Sequence, residues 1–89
     1  MNEQAIQKTI IKYLESIGCY VVKVISASRT GIPDLIFMHE GRFCAIEVKA
    51  VGKENNTSKL QDWNLNRINE LGGTAIISDN LKKVKETFK

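Results

Sequence analysis

The tightest constraint in this sequence is a gap of three residues. Asp34-Leu-Ile-Phe-Met38 and Arg42-Phe-Cys-Ala-Ile-Glu-Val-Lys49 are apolar runs rich in β-branched and aromatic residues, and only His39-Glu40-Gly41 separates them. Runs of this kind read as strands. A connection this short forces the second strand back along the first, so the pair forms an antiparallel hairpin, with Gly41 supplying the unusual backbone angles of the turn. Counting across the turn pairs Met38 with Arg42 and Asp34 with about Ile46.

The flanking segments can be read by periodicity. Ile6, Ile10, Tyr13, Leu14 and Ile17 follow the spacing of an amphipathic helix over Glu3–Ile17, with Asn2 as N-cap and Gly18 at its C-terminal end. Cys19–Ile25 reads as a strand, and Ser26–Pro33 as a loop, because it carries small polar residues, a glycine and the only proline. Val51–Thr57 is a second loop. Thr57 or Ser58 can cap a helix to about Leu71, with Leu60, Trp63, Ile68 and Leu71 as its apolar face and Leu65 near the edge. Gly72-Gly73 ends it, Thr74–Ile77 is a short strand, and a last helix from near Asp79 presents Leu81, Val84 and Phe88. The order α-β-β-β-α-β-α predicts an α/β fold. Three strands form an antiparallel meander, a right-handed crossover makes the fourth parallel, and helices flank the mixed four-stranded sheet.

With 89 residues, the chain reads as a single domain over 1–89. Hydrophobic residues at 43% and charged residues at 26% are globular proportions and argue against disorder. No apolar run approaches the about 20 residues that span a bilayer. The opening MNEQAIQKTI lacks the basic start and apolar core of a signal peptide, so a cytoplasmic location is expected. Cys19 and Cys44 lie in apolar stretches and read as reduced, buried hydrophobes. The net charge of +3 permits a nucleic-acid partner without requiring one. Lys82, Lys83, Lys85 and Lys89 read as a solvated helix face.

Side chains alternate along a strand. Cys44, Ile46 and Val48 therefore point into one core, and Ala45, Glu47 and Lys49 point the other way. A carboxylate and an ammonium thus stand together at the strand's end. Asp34 begins the neighbouring strand, and a twist or bulge would bring it to Glu47. Two carboxylates with water suit a hard cation such as Mg²⁺, and without one they repel and one pKa rises. His39 is expected to be solvated in the turn. No zinc spacing, phosphate loop or Ser-His-Asp set can be assembled. Trp63 reads as core or a dimer contact rather than a platform for base stacking.

Pro33-Asp34 followed by Glu47-Val-Lys49 resembles the PD-(D/E)xK nuclease superfamily. Gly31-Ile-Pro-Asp-Leu35, Gln61 in the next helix, Glu3 and Gln7 in the first helix, and the Gly72–Ile77 strand resemble its VRR-NUC branch, in a stand-alone form. The resemblance implies a restriction-endonuclease-like fold. It implies Asp34, Glu47 and the backbone carbonyl of Val48 as ligands of Mg²⁺ or Mn²⁺, with Glu3 completing the acidic site directly or through water. Lys49 would activate water and stabilise phosphate charge, and Gln61 would orient Lys49 or the water. The expected activity is structure-selective DNA endonuclease cleavage, as in a Holliday junction resolvase working as a homodimer. Arg29, Lys53 and Lys59, with Lys49, would hold the phosphate backbone, and Trp63, Leu65 and Phe88 are the candidate dimer contacts. Rival readings are a flap, branched or single-strand nuclease and a non-enzymatic DNA-binding module. The intact Asp34, Glu47 and Lys49 set argues against the module.

Overall fold

A computed structural model describes residues Met1–Lys89. The elements are α1 (Glu3–Ser16), β1 (Val21–Lys23), β2 (Leu35–His39), β3 (Arg42–Val48), α2 (Lys59–Glu70), β4 (Thr74–Ser78) and α3 (Leu81–Thr87). They form one sheet in the order β1-β2-β3-β4, antiparallel except for the parallel β3–β4 pair. This is the α/β arrangement expected from the sequence.

Helix α1 starts where the Asn2 side chain accepts the Ala5 N–H at 2.8 Å. Its Ile6, Ile10 and Leu14 stripe is buried against the sheet. Phe37, Cys44, Ile46 and Val48 meet that stripe, and Val84 and Phe88 close the core from the C-terminal end. The Tyr13 hydroxyl donates to the Phe88 carbonyl at 2.6 Å, tying α1 to the residue after α3. On the opposite face, Ala45, Leu65 and Ala75 form a smaller cluster under α2. Covered on both sides, β3 is buried continuously from Cys44 to Val48, as expected of a central strand. No helix is long and apolar enough to cross a membrane.

Several expectations are corrected. Strand β1 is only three residues long, because its continuation would pair Ile25 with Pro33, which has no N–H to donate. The last bond on this side runs from Val24 N–H to the Asp34 carbonyl at 2.8 Å, and Ile25 is 90% exposed. The hairpin register is shifted by one residue. His39 pairs with Arg42, and the turn is Glu40-Gly41, both with positive φ (53° and 76°). Two such residues make the tight turn whose twist matches the strands. His39 thereby becomes the last residue of β2. Its ring sits edge-on to Phe88 at 5.7 Å, with Nδ1 3.9 Å from Cys19 Sγ, instead of being solvated. Cys44 is buried, Cys19 is half-buried, and both are free. Burial pushes both thiols up.

Helix α2 turns differently from its apolar pattern. Leu60, Trp63 and Leu71 are exposed, while Asn64 and Leu65 are buried and Gln61 and Ile68 partly so. Polar residues can take these inward positions because partners await them. Asn64 Nδ2 donates to the carbonyls of Leu60 (2.8 Å) and Thr30 (3.1 Å). Trp63 is therefore not core. Leu65 and Phe88 are core, which removes them as dimer contacts.

Candidate active site

The corrected register builds the site. Leu35 pairs with Ile46, so Asp34 falls opposite Glu47 one step beyond the ladder, with no bulge. Asp34 Oδ2 accepts the Val48 N–H at 2.9 Å. The carboxylate thus takes the place of a main-chain carbonyl beyond the end of the β2–β3 ladder, and this fixes it against the main chain of β3. Lys49 N–H donates to the Ser78 carbonyl at 2.9 Å, extending the parallel pairing with β4 by one residue and holding the base of the lysine side chain.

Glu47 is 4% exposed. Its Oε2 accepts from Gln61 Nε2 at 3.2 Å and lies 3.5 Å from Lys49 Nζ. Its Oε1 is buried and has no hydrogen-bond partner. Burial first, then the nearby Asp34 charge, pushes its carboxyl up to about 7, against the opposing pull of Lys49. Lys49 Nζ also donates to Gln61 Oε1 at 3.2 Å.

Gln61 serves two structures at once. It is the third residue of α2, and with Ser58 it closes a capping box: Gln61 N–H donates to Ser58 Oγ at 3.1 Å, and Gln61 Oε1 accepts the Ser58 N–H at 3.0 Å. With its oxygen committed to Ser58 and Lys49, its nitrogen can only face Glu47. The start of α2 therefore fixes the donor that the acid meets.

The loop before Asp34 is pressed against this helix start. A Cβ on Gly31, whose φ is +81°, would lie 2.8 Å from the Leu60 carbonyl carbon and 3.0 Å from Gln61 N. Only glycine allows that approach. The loop after β3 is anchored as well. Gly52 N–H donates to Asp79 Oδ2 at 2.9 Å, holding that carboxyl below its usual range, and Lys83 pairs with Glu54 at 2.7 Å.

Asp34, Glu47, Lys49 and Gln61 thus come together, and the Val48 peptide lies against Asp34. Glu3 is exposed in the first turn of α1 and makes no hydrogen bond or ion pair with them. Lys53 and Lys59 are exposed on the loop and on the first residue of α2, and Arg29 stands over the Trp63 ring. Sequence reasoning gave no role to the Asn64–Thr30 tie or to the close approach at Gly31. Both are contacts between distant segments, and neither has a local signature.

The donor set can be tested against a divalent cation. No three His, Cys, Asp or Glu side chains converge anywhere in the chain. A hard cation needs fewer charged ligands than that. Mg²⁺ commonly takes one or two carboxylates and completes its shell with water and substrate oxygens. Two carboxylates beside each other, one with a buried oxygen lacking any donor, fit that demand.

No protein-family model and no solved structure matches the chain. Among curated proteins, the chain is 29% identical over 80 residues to one named "Putative nuclease p44", from Acyrthosiphon pisum secondary endosymbiont phage 1. The match covers 89% of this chain and 84% of that protein.

Proposed function

We propose that this chain is a metal-dependent DNA endonuclease that hydrolyses phosphodiester bonds. The observation that carries the reading is Glu47. A carboxylate this buried, beside a second carboxylate and with one oxygen unpartnered, costs folding free energy without any packing return. Such a residue is explained by a ligand it is poised to receive. The similarity to a protein named as a nuclease supports the same reading.

Asp34, Glu47 and the Val48 carbonyl would hold Mg²⁺ or Mn²⁺, with Glu3 reaching the site through water. When bound, the cation supplies positive charge that polarises a phosphate and acidifies nearby water. Lys49 adds a second positive charge for the pentacoordinate phosphate and orients the attacking water. Gln61 fixes the Lys49 ammonium through its oxygen and Glu47 through its nitrogen, so both groups hold position before substrate arrives. Lys53 and Lys59 contact phosphates without reading bases.

We favour branched DNA as substrate, with the chain working as a homodimeric Holliday junction resolvase, since paired cuts need two such sites related by a two-fold axis. With Leu65 and Phe88 in the core, the exposed Tyr20, Val22, Met38 and Phe43 on the open part of the sheet supply apolar surface for a second copy. The test is cleavage of four-way, flap, duplex and single-stranded DNA in Mg²⁺ and in EDTA, with light scattering for mass. Metal-dependent cutting that Glu47→Ala abolishes is expected. Full activity of Glu47→Ala would end the nuclease reading. A monomer, both free and on four-way DNA, would end the resolvase reading alone.

A further inference from the structure

A second feature lies at the start of α2. Arg29, Thr30, Leu60, Trp63 and Asn64 line an open cleft of about 340 Å³ between the loop before β2 and the first turns of α2. Trp63 is the only tryptophan in the chain, and 51% of it faces water. Its ring carries the Arg29 guanidinium carbon 6.0 Å from its centroid, near the outer reach of a cation–π contact. A flat ring between two planes needs about 7 Å, two contact distances of about 3.5 Å each. Movement of the exposed arginine side chain opens such a slot.

The walls of this cleft are tied to each other. Asn64 bonds the Thr30 carbonyl across it, and Gly31 lets the loop backbone touch Leu60. The cleft also has a defined place relative to the chemistry. Leu60 precedes Gln61 on α2, and Trp63 stands two residues on, about 200° around the helix from it. The loop that carries Arg29 runs on through Pro33 into Asp34.

We propose that the Arg29–Trp63 cleft receives an unpaired nucleobase of the DNA strand whose phosphate lies at Asp34, Glu47 and Lys49. The base stacks on the indole, and Arg29 covers its other face. The proposal rests on the nuclease reading and adds to it a source of substrate selection. In an intact duplex both faces of every base are already stacked, so only a splayed, branched or single-stranded segment offers a face to Trp63. Stacking of this kind tolerates any base.

The test uses the full chain in EDTA, where no cutting occurs. Trp63 fluorescence is followed as a twelve-nucleotide oligothymidylate, an abasic strand of equal length and a twelve-base-pair duplex are added. Anisotropy of labelled DNA reports binding independently. Oligothymidylate should quench the emission, whereas the abasic strand should bind without quenching. Trp63→Ala should lower the ratio of single-strand to duplex affinity about tenfold or more, and Trp63→Phe should recover most of it. Binding with unchanged emission, together with a ratio within twofold of wild type in Trp63→Ala, overturns the stacking proposal. If Mg²⁺-dependent cutting persists in that case, the nuclease reading survives. Emission that follows protein concentration instead of DNA assigns Trp63 to a contact between copies and also overturns the proposal. Absence of both DNA binding and metal-dependent cutting overturns proposal and nuclease reading together.

Discussion

The two faces of the sheet are built to different ends. The face under α1 and α3 carries an apolar cluster of ten buried residues, with only Gln7 and Ser78 as buried polar neighbours, and aromatic rings such as Phe37 and Phe88 meet edge to face at 4.8 Å. The face under α2 has a buried apolar cluster of three, flanked by the partly buried Ile36, Ile68 and Ile77, and it gives further inward positions to Glu47, Lys49, Gln61 and Asn64. The first face holds the fold together with little chemistry. The second gives up packing for a preorganised polar site, and it can do so because β3 is secured from behind. A chain of 89 residues has a modest core, so stability and chemistry are divided between faces of the same strand.

The largest effect expected is on turnover. Lys49→Ala should slow single-turnover cleavage by about 10²–10³-fold while leaving metal binding, measured by calorimetry, largely intact. A change below threefold would remove Lys49 from the chemistry and leave the polar face without its main actor.

Next comes the direct comparison of the two faces. Ile10→Ala, in the larger core, should cost about 3–4 kcal/mol in urea unfolding, and Leu65→Ala about 2 kcal/mol, because the thinner cluster can collapse around the loss. Equal costs would break the contrast.

The pH dependence sharpens it. Glu47 is held up to about 7 from an ordinary 4.5, so between these values the folded state keeps a proton that the unfolded chain has released. Stability must therefore fall as pH rises from about 4.5 to 7 and level off above, by on the order of 2–3 kcal/mol for this group. Unfolding in EDTA at pH 5 and pH 8 should show the loss in wild type and not in Glu47→Gln, and Mg²⁺ should restore stability at pH 8. A slope that Glu47→Gln leaves unchanged would place the cause elsewhere. The smallest effect belongs to the turn. Glu40 sits at φ 53°, and Glu40→Asn should stabilise by about 0.5–1 kcal/mol, since asparagine enters that region more readily. A loss of stability would count against the turn as described.

Local signals made much of this legible. The helix stripe at Ile6, Ile10 and Leu14, the hairpin, and the shared face of Glu47 and Lys49 all follow from spacing. The register did not, because Glu40-Gly41 lacks the Asn-Gly signature that would separate a two-residue turn from a three-residue one. That one-residue difference settles the bulge. Counting needed a distortion to join Asp34 to Glu47, and the actual pairing needs none. The orientation of helix α2 escapes periodicity for another reason. Periodicity assigns inward positions to apolar residues, and here Gln61 and Asn64 face inward toward partners on Glu47 and Thr30. His39 and Trp63 exchanged expected environments, buried for one and exposed for the other, through contacts made by segments far apart in sequence.

The Glu40-Gly41 turn has a bearing on what sequence changes the chain can absorb. Asp34 and Glu47 face each other only because the hairpin arms are of matched length around two residues. A single added residue there must be taken up wholly in the turn, as a three-residue loop with a bulge. If it entered the strand instead, β3 would move along β2 by one position and every side chain from Cys44 to Lys49 would pass to the opposite side of the sheet, taking Glu47 into hydrocarbon and Ile46 to the polar face. The loop over 51–57 has no such arithmetic to keep, although its ties to Asp79 and Lys83 would be strained. Peptide tags, reporter insertions and natural length variation should therefore be tolerated far better after β3 than before it.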